Sequence, residues 1–136
     1  MSLSQVILDT DILSALMRQE PAVSVRAKAY LAQHNLFTFS IITRYEVLRG
    51  LKAKSAGRKA ATFDIFCSRN RILPLTEDAI VRAAEIYAEL YKRGELIGDA
   101  DILISATALV NGPGVATNNE RHFGRITGLH VGNWHK

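Results

Sequence analysis

The chain has 136 residues, 48% hydrophobic and 22% charged, with 17 basic and 13 acidic side chains for a net charge of +4. This is the composition of one globular domain of ordinary size, which excludes a disordered chain and two full domains. The single cysteine, Cys67, excludes an internal disulfide and a cysteine-built zinc cage. A single domain over residues 1–136 is therefore expected. No basic leader precedes an apolar core, and no apolar run approaches the ~18 residues of a membrane span. The expected setting is the cytoplasm, without a membrane partner.

Residues 5–9 form a short apolar run closed by Asp9 and predict a buried strand. Ile12, Leu13, Leu16 and Met17 recur at helical spacing over 11–18, and Pro21 ends that turn or opens a second helix over 22–34. Residues 36–40 are rich in aromatic and β-branched side chains and predict a second strand. Ser40 then caps a helix running to about Lys54. Gly57 marks a break before a helix over 58–68, and residues 71–75 read as a third strand. Thr76 followed by Glu77 and Asp78 is a strong helix start, with Ile80, Ala83, Ala84, Tyr87 and Tyr91 on one face and Gly94 at the end. Residues 99–110 are apolar almost all round and predict a buried helix, stopped by Gly112-Pro113-Gly114. Residues 115–117 and 129–134 read as the last two strands. Strands alternating with helices give an α/β fold, with a mostly parallel sheet of about four to five strands flanked by helices. Sites in such sheets lie beyond the carboxyl ends of the strands.

Charge is unevenly placed. Between Arg44 and Arg71 eight basic residues face only Glu46 and Asp64, a local excess of +6 against −2 for the rest of the chain. Such an excess fits a phosphate-rich partner, and it equally fits a solvated helix face. The acids cluster where a site is expected. Asp9 closes the first strand, Asp11 follows, Glu46 interrupts an apolar helix, and Asp99 and Asp101 open the most apolar helix. Clustered buried carboxylates need a cation or shared protons, and a hard divalent ion such as Mg²⁺ satisfies them. Each acid also has a plainer reading: Asp9 and Asp99 as helix caps, Asp11 and Asp101 as first-turn residues, Glu46 as a surface partner of Arg49. Asn118, Asn119 and His122 follow the strand ending at Thr117. The asparagines read as groups holding a ligand carboxylate or a metal-bound water, or as plain turn chemistry, and His122 reads as a candidate base or phosphate contact, roles that a lone histidine more often lacks. The aromatics Phe37, Phe39, Phe63 and Trp134 read as core or interface. The helices over 22–31 and 58–67 could form a groove for a partner's helix or tail.

Four ordered blocks resemble the PIN-domain ribonucleases, in particular the VapC-type toxins of toxin–antitoxin pairs. "VILDTDIL" (6–13) is similar to the family's opening strand with its metal-binding Asp, here Asp9. "SIITRYEVLRG" (40–50) is similar to the segment carrying a second acid, Glu46, and "IGDADILISATAL" (97–109) to the block whose central acid aligns with Asp101. Asp99 stands beside it at a position acidic in some members. "VATNNERHF" (115–123) and "GLHVGNW" (128–134) are similar to the closing blocks. Two departures stand out: Asp11 where the first block commonly has Asn, and His122 where many members carry an acid.

The resemblance implies an Mg²⁺- or Mn²⁺-dependent endoribonuclease that cleaves RNA phosphodiester bonds, forms a homodimer and is inhibited by a VapB-type antitoxin. Asp9, Glu46 and Asp101 would be the metal-binding catalytic acids, with Asp99, Asn119, Thr10 and Thr117 supporting and Arg44 and Arg49 holding the RNA backbone. Two other readings compete. In a haloacid-dehalogenase-like phosphatase, Asp9 would be the nucleophile and Asp11 the general acid. In a non-catalytic RNA- or partner-binding module, the acids would be structural.

Overall fold

The structure is a computed structural model that describes residues 4–136. Five strands, β1 (Val6–Leu8), β2 (Thr38–Ser40), β3 (Arg71–Leu73), β4 (Gly114–Ala116) and β5 (Val131–Gly132), form one sheet in the order β3-β2-β1-β4-β5, and every pairing is parallel. Parallel neighbours need crossovers, and helices supply them. The helices are α1 (Thr10–Met17), α2 (Pro21–His34), α3 (Ile41–Ala53), α4 (Gly57–Ser68), α5 (Glu77–Lys92), α6 (Asp99–Asn111) and α7 (Glu120–Phe123). Among the described residues no helix is long and apolar enough to cross a membrane.

β1, β2, β3 and β5 are shorter than their apolar runs predicted, and β4 keeps its expected length but begins one residue earlier. Both faces of β1 are covered. Leu8 joins Phe39, Phe63 and the α1–α2 residues Leu13, Val23 and Ala27 in one core, while Ile7 joins Val115, Ile104 and Phe123 on the other side. The four expected aromatics, Phe37, Phe39, Phe63 and Trp134, are all buried. At Gly114 the backbones of β4 and the chain entering β5 approach closely, and a Cβ there would sit 2.7 Å from the His130 carbonyl oxygen.

Helix boundaries follow their local signals. Asp9, Ser40 and Thr76 each cap a helix by accepting from a backbone N–H, and Pro21 opens α2 at its first position. Gly112, at φ 101°, closes α6 in the left-handed region. Gly57 does not break the chain: it begins α4, and the turn is made by Ser55 at φ 54°. Asp99 is not the cap of α6, because Gly98 holds that position. The short helix α7 carries too little periodic pattern to be read from sequence, and it exists because Asn119 caps it.

The expected single face of α5 divides in two. Ala79, Ala83, Ile86 and Leu90 are buried, whereas Ile80, Ala84, Tyr87 and Tyr91 face solvent. Both sets have helical spacing, so periodicity alone could not choose between them.

Candidate active site

β1 lies at the centre of the sheet. The chain runs to one side of it for β2 and β3, then crosses to the other side for β4 and β5. The carboxyl ends of β1 and β4 therefore form a switch point, where parallel sheets place their sites. Asp9 and Thr117 are the residues that leave these two strands.

Asp9 is 3% exposed. Its Oδ1 accepts from the Ile12 N–H at 2.8 Å, and its Oδ2 accepts from the Thr117 hydroxyl at 2.5 Å. Asp9 thus caps α1, as its plainer reading expected, and the same carboxylate is tied to the end of β4 through Thr117. Burial pushes its pKa up to about 7, against the lowering effect of those two hydrogen bonds, and the negative charges of Asp11 and Asp101 push in the same direction as burial. Thr117 is itself fixed, because its hydroxyl oxygen accepts from the Asn119 N–H at 2.8 Å.

Glu46 reaches this region from α3. The Thr10 hydroxyl donates to its Oε1 at 2.5 Å and lies 3.3 Å from the Thr43 hydroxyl, while Arg49 is 3.6 Å from its Oε2. Asp101 arrives from the first turn of α6, half-buried, with its Oδ2 at 3.5 Å from His122 Nδ1. Its pKa is raised, first by burial and further by the charges of Glu46 and Asp11, with His122 opposing. Asp9, Asp11, Glu46 and Asp101, brought from three elements and the end of a fourth, therefore share one electrostatic neighbourhood.

Other expected residues are placed differently. Asp99 is exposed at the start of α6. Asn118 is exposed, whereas Asn119 caps α7 and holds His122 Nδ1 at 2.8 Å. That nitrogen either accepts from the Asn119 amide or donates to Asp101, and it cannot do both. Arg44, expected beside Glu46, turns to α4 instead. It pairs with Asp64 at 3.0 Å, contacts Cys67 Sγ at 3.2 Å and lies over the Phe63 ring. Two residues of spacing carry a side chain about 200° round a helix, so Arg44 and Glu46 cannot face the same way. Arg49 stays at the site edge, over the Tyr45 ring. Sequence reading underrated His122, whose contact with Asp101 depends on the turn that α7 makes after β4, and Asp11, whose charge reaches both Asp9 and Asp101.

The available ligand atoms are carboxylate and hydroxyl oxygens, which suit a hard divalent cation. The buried carboxylate at Asp9, raised in pKa among other acids, is a group that a cation would satisfy. Among the described residues no three His, Cys, Asp or Glu side chains close tightly enough to form a protein cage. The dehalogenase-like reading lacks its geometry, since Gly98 and Asp99 open a helix and not a strand end.

The Thr117 hydroxyl gives a direct test of how Asp9 is held. Thr117→Val leaves the Asp9 Oδ2 and the Asn119 N–H without their partner, and should cost about 1–3 kcal/mol. Urea unfolding of the metal-free protein at pH 8 measures it, and a change within error would show that the hydroxyl does not support the carboxylate.

Residues 6–129 match the family described as PIN domain. Ribonuclease VapC2 of Rickettsia felis is 31% identical over 130 residues, covering 95% of this chain and 97% of that protein. The tRNA(fMet)-specific endonuclease VapC of Shigella flexneri is 33% identical over 128 residues, covering 93% and 96%. Among solved structures, VapBC2 from Rickettsia felis bound to a DNA fragment from its promoter superposes with a TM-score of 0.84 at 28% identity, over 95% of this chain and 98% of that one. DNA-bound VapBC from Salmonella typhimurium gives 0.84 and 28%, over 97% and 99%. With sequence and backbone both matched over nearly its whole length, the chain belongs to the PIN domain family.

Proposed function

We propose that the chain is a divalent-metal-dependent endoribonuclease of the VapC type, a toxin held inactive by a VapB-type antitoxin, and that it acts as a homodimer. The observation that carries this reading is the charge coupling of Asp9 on the end of β1 to Asp101 on α6, and of Asp101 to Glu46 on α3. The names of the relatives supply the substrate class: ribonucleases in Rickettsia felis and Shigella flexneri, the latter acting on tRNA(fMet). The titles of the neighbours supply the partner, since they are VapBC complexes.

Asp9, Asp101 and Glu46 would hold the ion, directly or through waters. When bound, Mg²⁺ supplies charge neutralisation and Lewis-acid polarisation at a phosphoryl oxygen. Thr117 and Thr10 fix the Asp9 and Glu46 carboxylates by hydrogen bonds at 2.5 Å each, which limits reorganisation during reaction. Asn119 Oδ1 accepts from the His122 N–H at 3.4 Å, and this places the ring with its Nδ1 at 3.5 Å from Asp101 Oδ2. Arg49, at the edge of the acids, is placed to meet an incoming phosphate. The exposed cations of α3 and α4 continue that surface, so substrate binding should weaken steeply with salt.

A groove of about 470 Å³ opens beside Glu46, between α1, α3 and α4. Met17, Val47 and Leu51 contribute its apolar part, and Arg18, Lys54, Arg58 and Lys59 its basic part. It differs from the groove expected between the α2 and α4 segments, because α2 lends it no residue. An antitoxin segment seated there would lie against the active-site acids. A separate cleft of about 380 Å³, with Arg26, Tyr30 and Trp134, sits at the amino ends of the strands and holds none of the acids.

The test is cleavage of an RNA substrate by the purified chain with Mg²⁺ or Mn²⁺ and with EDTA, beside a thermal melt. An ion that binds only the folded cluster stabilises it by about 2.7 kcal/mol at a hundredfold excess over Kd, a rise of several degrees. Cleavage that ignores EDTA, or a melt unmoved by Mn²⁺, would overturn the metal assignment. Absence of cleavage with a normal metal-induced shift would overturn the nuclease reading instead.

A further inference from the structure

Two connections outside the acid cluster lead to Asp101 and away from His122. Residues 93–98 join α5 to α6 and run into the turn that carries Asp101, and residues 124–130 follow α7, which carries His122. Apolar and polar contacts both join them. Ile97 from the first and Ile126 from the second are buried in one core with Leu90 and Ile102. Arg125 Nη1 donates to the Glu95 carbonyl at 3.1 Å and to the Leu96 carbonyl at 3.3 Å, and its Nε stands 4.0 Å from Glu95 Oε2. Arg93 closes the clamp from the end of α5. Its Nη2 donates to the Arg125 carbonyl at 2.5 Å, its Nε to Glu95 Oε1 at 3.1 Å and its Nη1 to Glu89 Oε1 at 2.8 Å. The Thr127 hydroxyl also donates to Glu89 Oε1, at 2.8 Å. Both guanidinium groups are thus committed to partners within the chain.

We propose that Arg125 is a positioning residue for the acid cluster: by tying its own connection to Glu95 and Leu96, it holds Asp101 and His122 together. Its effect on metal binding rests on the functional reading of Asp101, whereas its effect on the geometry does not. The contacts form a closed loop. The Arg125 N–H donates to the His122 carbonyl at 3.2 Å, His122 Nδ1 stands 3.5 Å from Asp101 Oδ2, and the chain from Asp101 back to Leu96 returns to the Arg125 side chain. Neither helix in the loop is anchored well without it. Gly98, the cap of α6, has no side chain with which to hold the helix start. α7 has four residues, too few to be stable as a helix in isolation. Arginine suits the role because one terminal nitrogen carries two hydrogens, enough for two successive carbonyls, while the rest of the planar fork faces Glu95. It also stays charged at every working pH, so the clamp does not open by deprotonation.

Two readouts test it without RNA: Mn²⁺ binding followed by electron paramagnetic resonance, and the ring resonances of His122 in EDTA at one fixed pH. Arg125→Met keeps the apolar stem and removes the donors. With its circular dichroism spectrum unchanged, it should bind Mn²⁺ about 10–100-fold more weakly, the scale on which a group that orients a metal ligand matters, and its His122 resonances should move. At saturating Mn²⁺ most of the lost kcat for RNA cleavage should return, with KM for RNA unchanged. Thr127→Val breaks a bond of the same clamp that does not involve Arg125, so its Mn²⁺ affinity and His122 resonances should match the wild type. Should Arg125→Met fail to fold, Arg125→Lys, which keeps the charge without the fork, should show the same changes at smaller size. A wild-type chain that binds no Mn²⁺ would overturn the metal reading alone, because the His122 resonances still decide the clamp. Folded Arg125 variants with unmoved His122 resonances, an unchanged Mn²⁺ affinity where the wild type binds the ion, or equal changes in Thr127→Val would each overturn the proposal.

Discussion

Asp9→Asn should lower the rate of RNA cleavage by about 10²–10³-fold or more, the scale on which one electrostatic element of an active site matters, while stabilising the metal-free fold at alkaline pH. The two effects have one origin. Asp9 is buried beside Asp11 and Asp101, and its pKa stands at about 7. A carboxyl whose folded pKa is raised favours the folded state while it is protonated. Its contribution is fully present below the unfolded value of 3.8 and is lost as pH rises through about 7. Above that pH the wild-type protein without metal carries an uncompensated buried charge, costing on the order of a few kcal/mol. Asparagine cannot ionise, and its side-chain oxygen still accepts from the Ile12 N–H as a helix cap. Urea unfolding in EDTA at pH 5 and pH 8 should therefore show the variant gaining on the wild type as pH rises. Equal cleavage rates would remove Asp9 from the site. A variant that loses ground to the wild type at pH 8 would show that the buried charge is already compensated.

Phe39→Ala should cost about 3–5 kcal/mol, the usual range for emptying a fully buried aromatic position. Phe39 is completely buried in β2, faces Leu8 of β1 in register and stacks near Phe66 of α4. Domains of this kind have roughly 5–15 kcal/mol in total, so the loss is a large fraction. The functional consequence follows from position. Phe39 immediately precedes Ser40, the cap of α3, and α3 carries Glu46. Loosening β2 against β1 thus separates Glu46 from Asp9 as well as lowering the melting temperature. Cleavage under conditions where the variant is still folded should fall further than the folded fraction does. Tyr45→Ala, at an exposed position on the same helix, serves as the control: it loses a cation–π contact with Arg49 worth about 0.5–1 kcal/mol. If Phe39→Ala melts within a degree or two of the wild type, the core lies elsewhere.

Much of the fold was legible in the sequence because its signals are local. A run such as Val6–Leu8, apolar at every position, reads as a strand covered on both faces, which puts the acid that ends it at a strand's carboxyl end. Ser40 and Thr76 announce helix starts through hydrogen bonds to residues two or three positions ahead, and Gly112 announces a stop through its own backbone freedom. The four motif blocks were legible for the same reason, since each is a short stretch with its own spacing.

Features that depend on which neighbour an element meets were not legible. Arg44 and Arg49 look alike in sequence, but helical rotation sends one to Asp64 and Phe63 and the other to Glu46. His122 reaches Asp101 because α7 packs against α6, and Asp11 reaches Asp101 only because α1 and α6 converge at the same end of the sheet.

The sequence by itself determined the alternation of strands and helices and their caps, because each rests on interactions within a few residues; the acids Asp9, Glu46 and Asp101 stood out as candidates, each with a plainer reading beside it. Tertiary structure alone decided the strand order, the meeting of those acids from three separate elements, and which of the two apolar stripes on α5 is spent on the core. These rest on contacts between residues dozens of positions apart, whose energies no local pattern encodes.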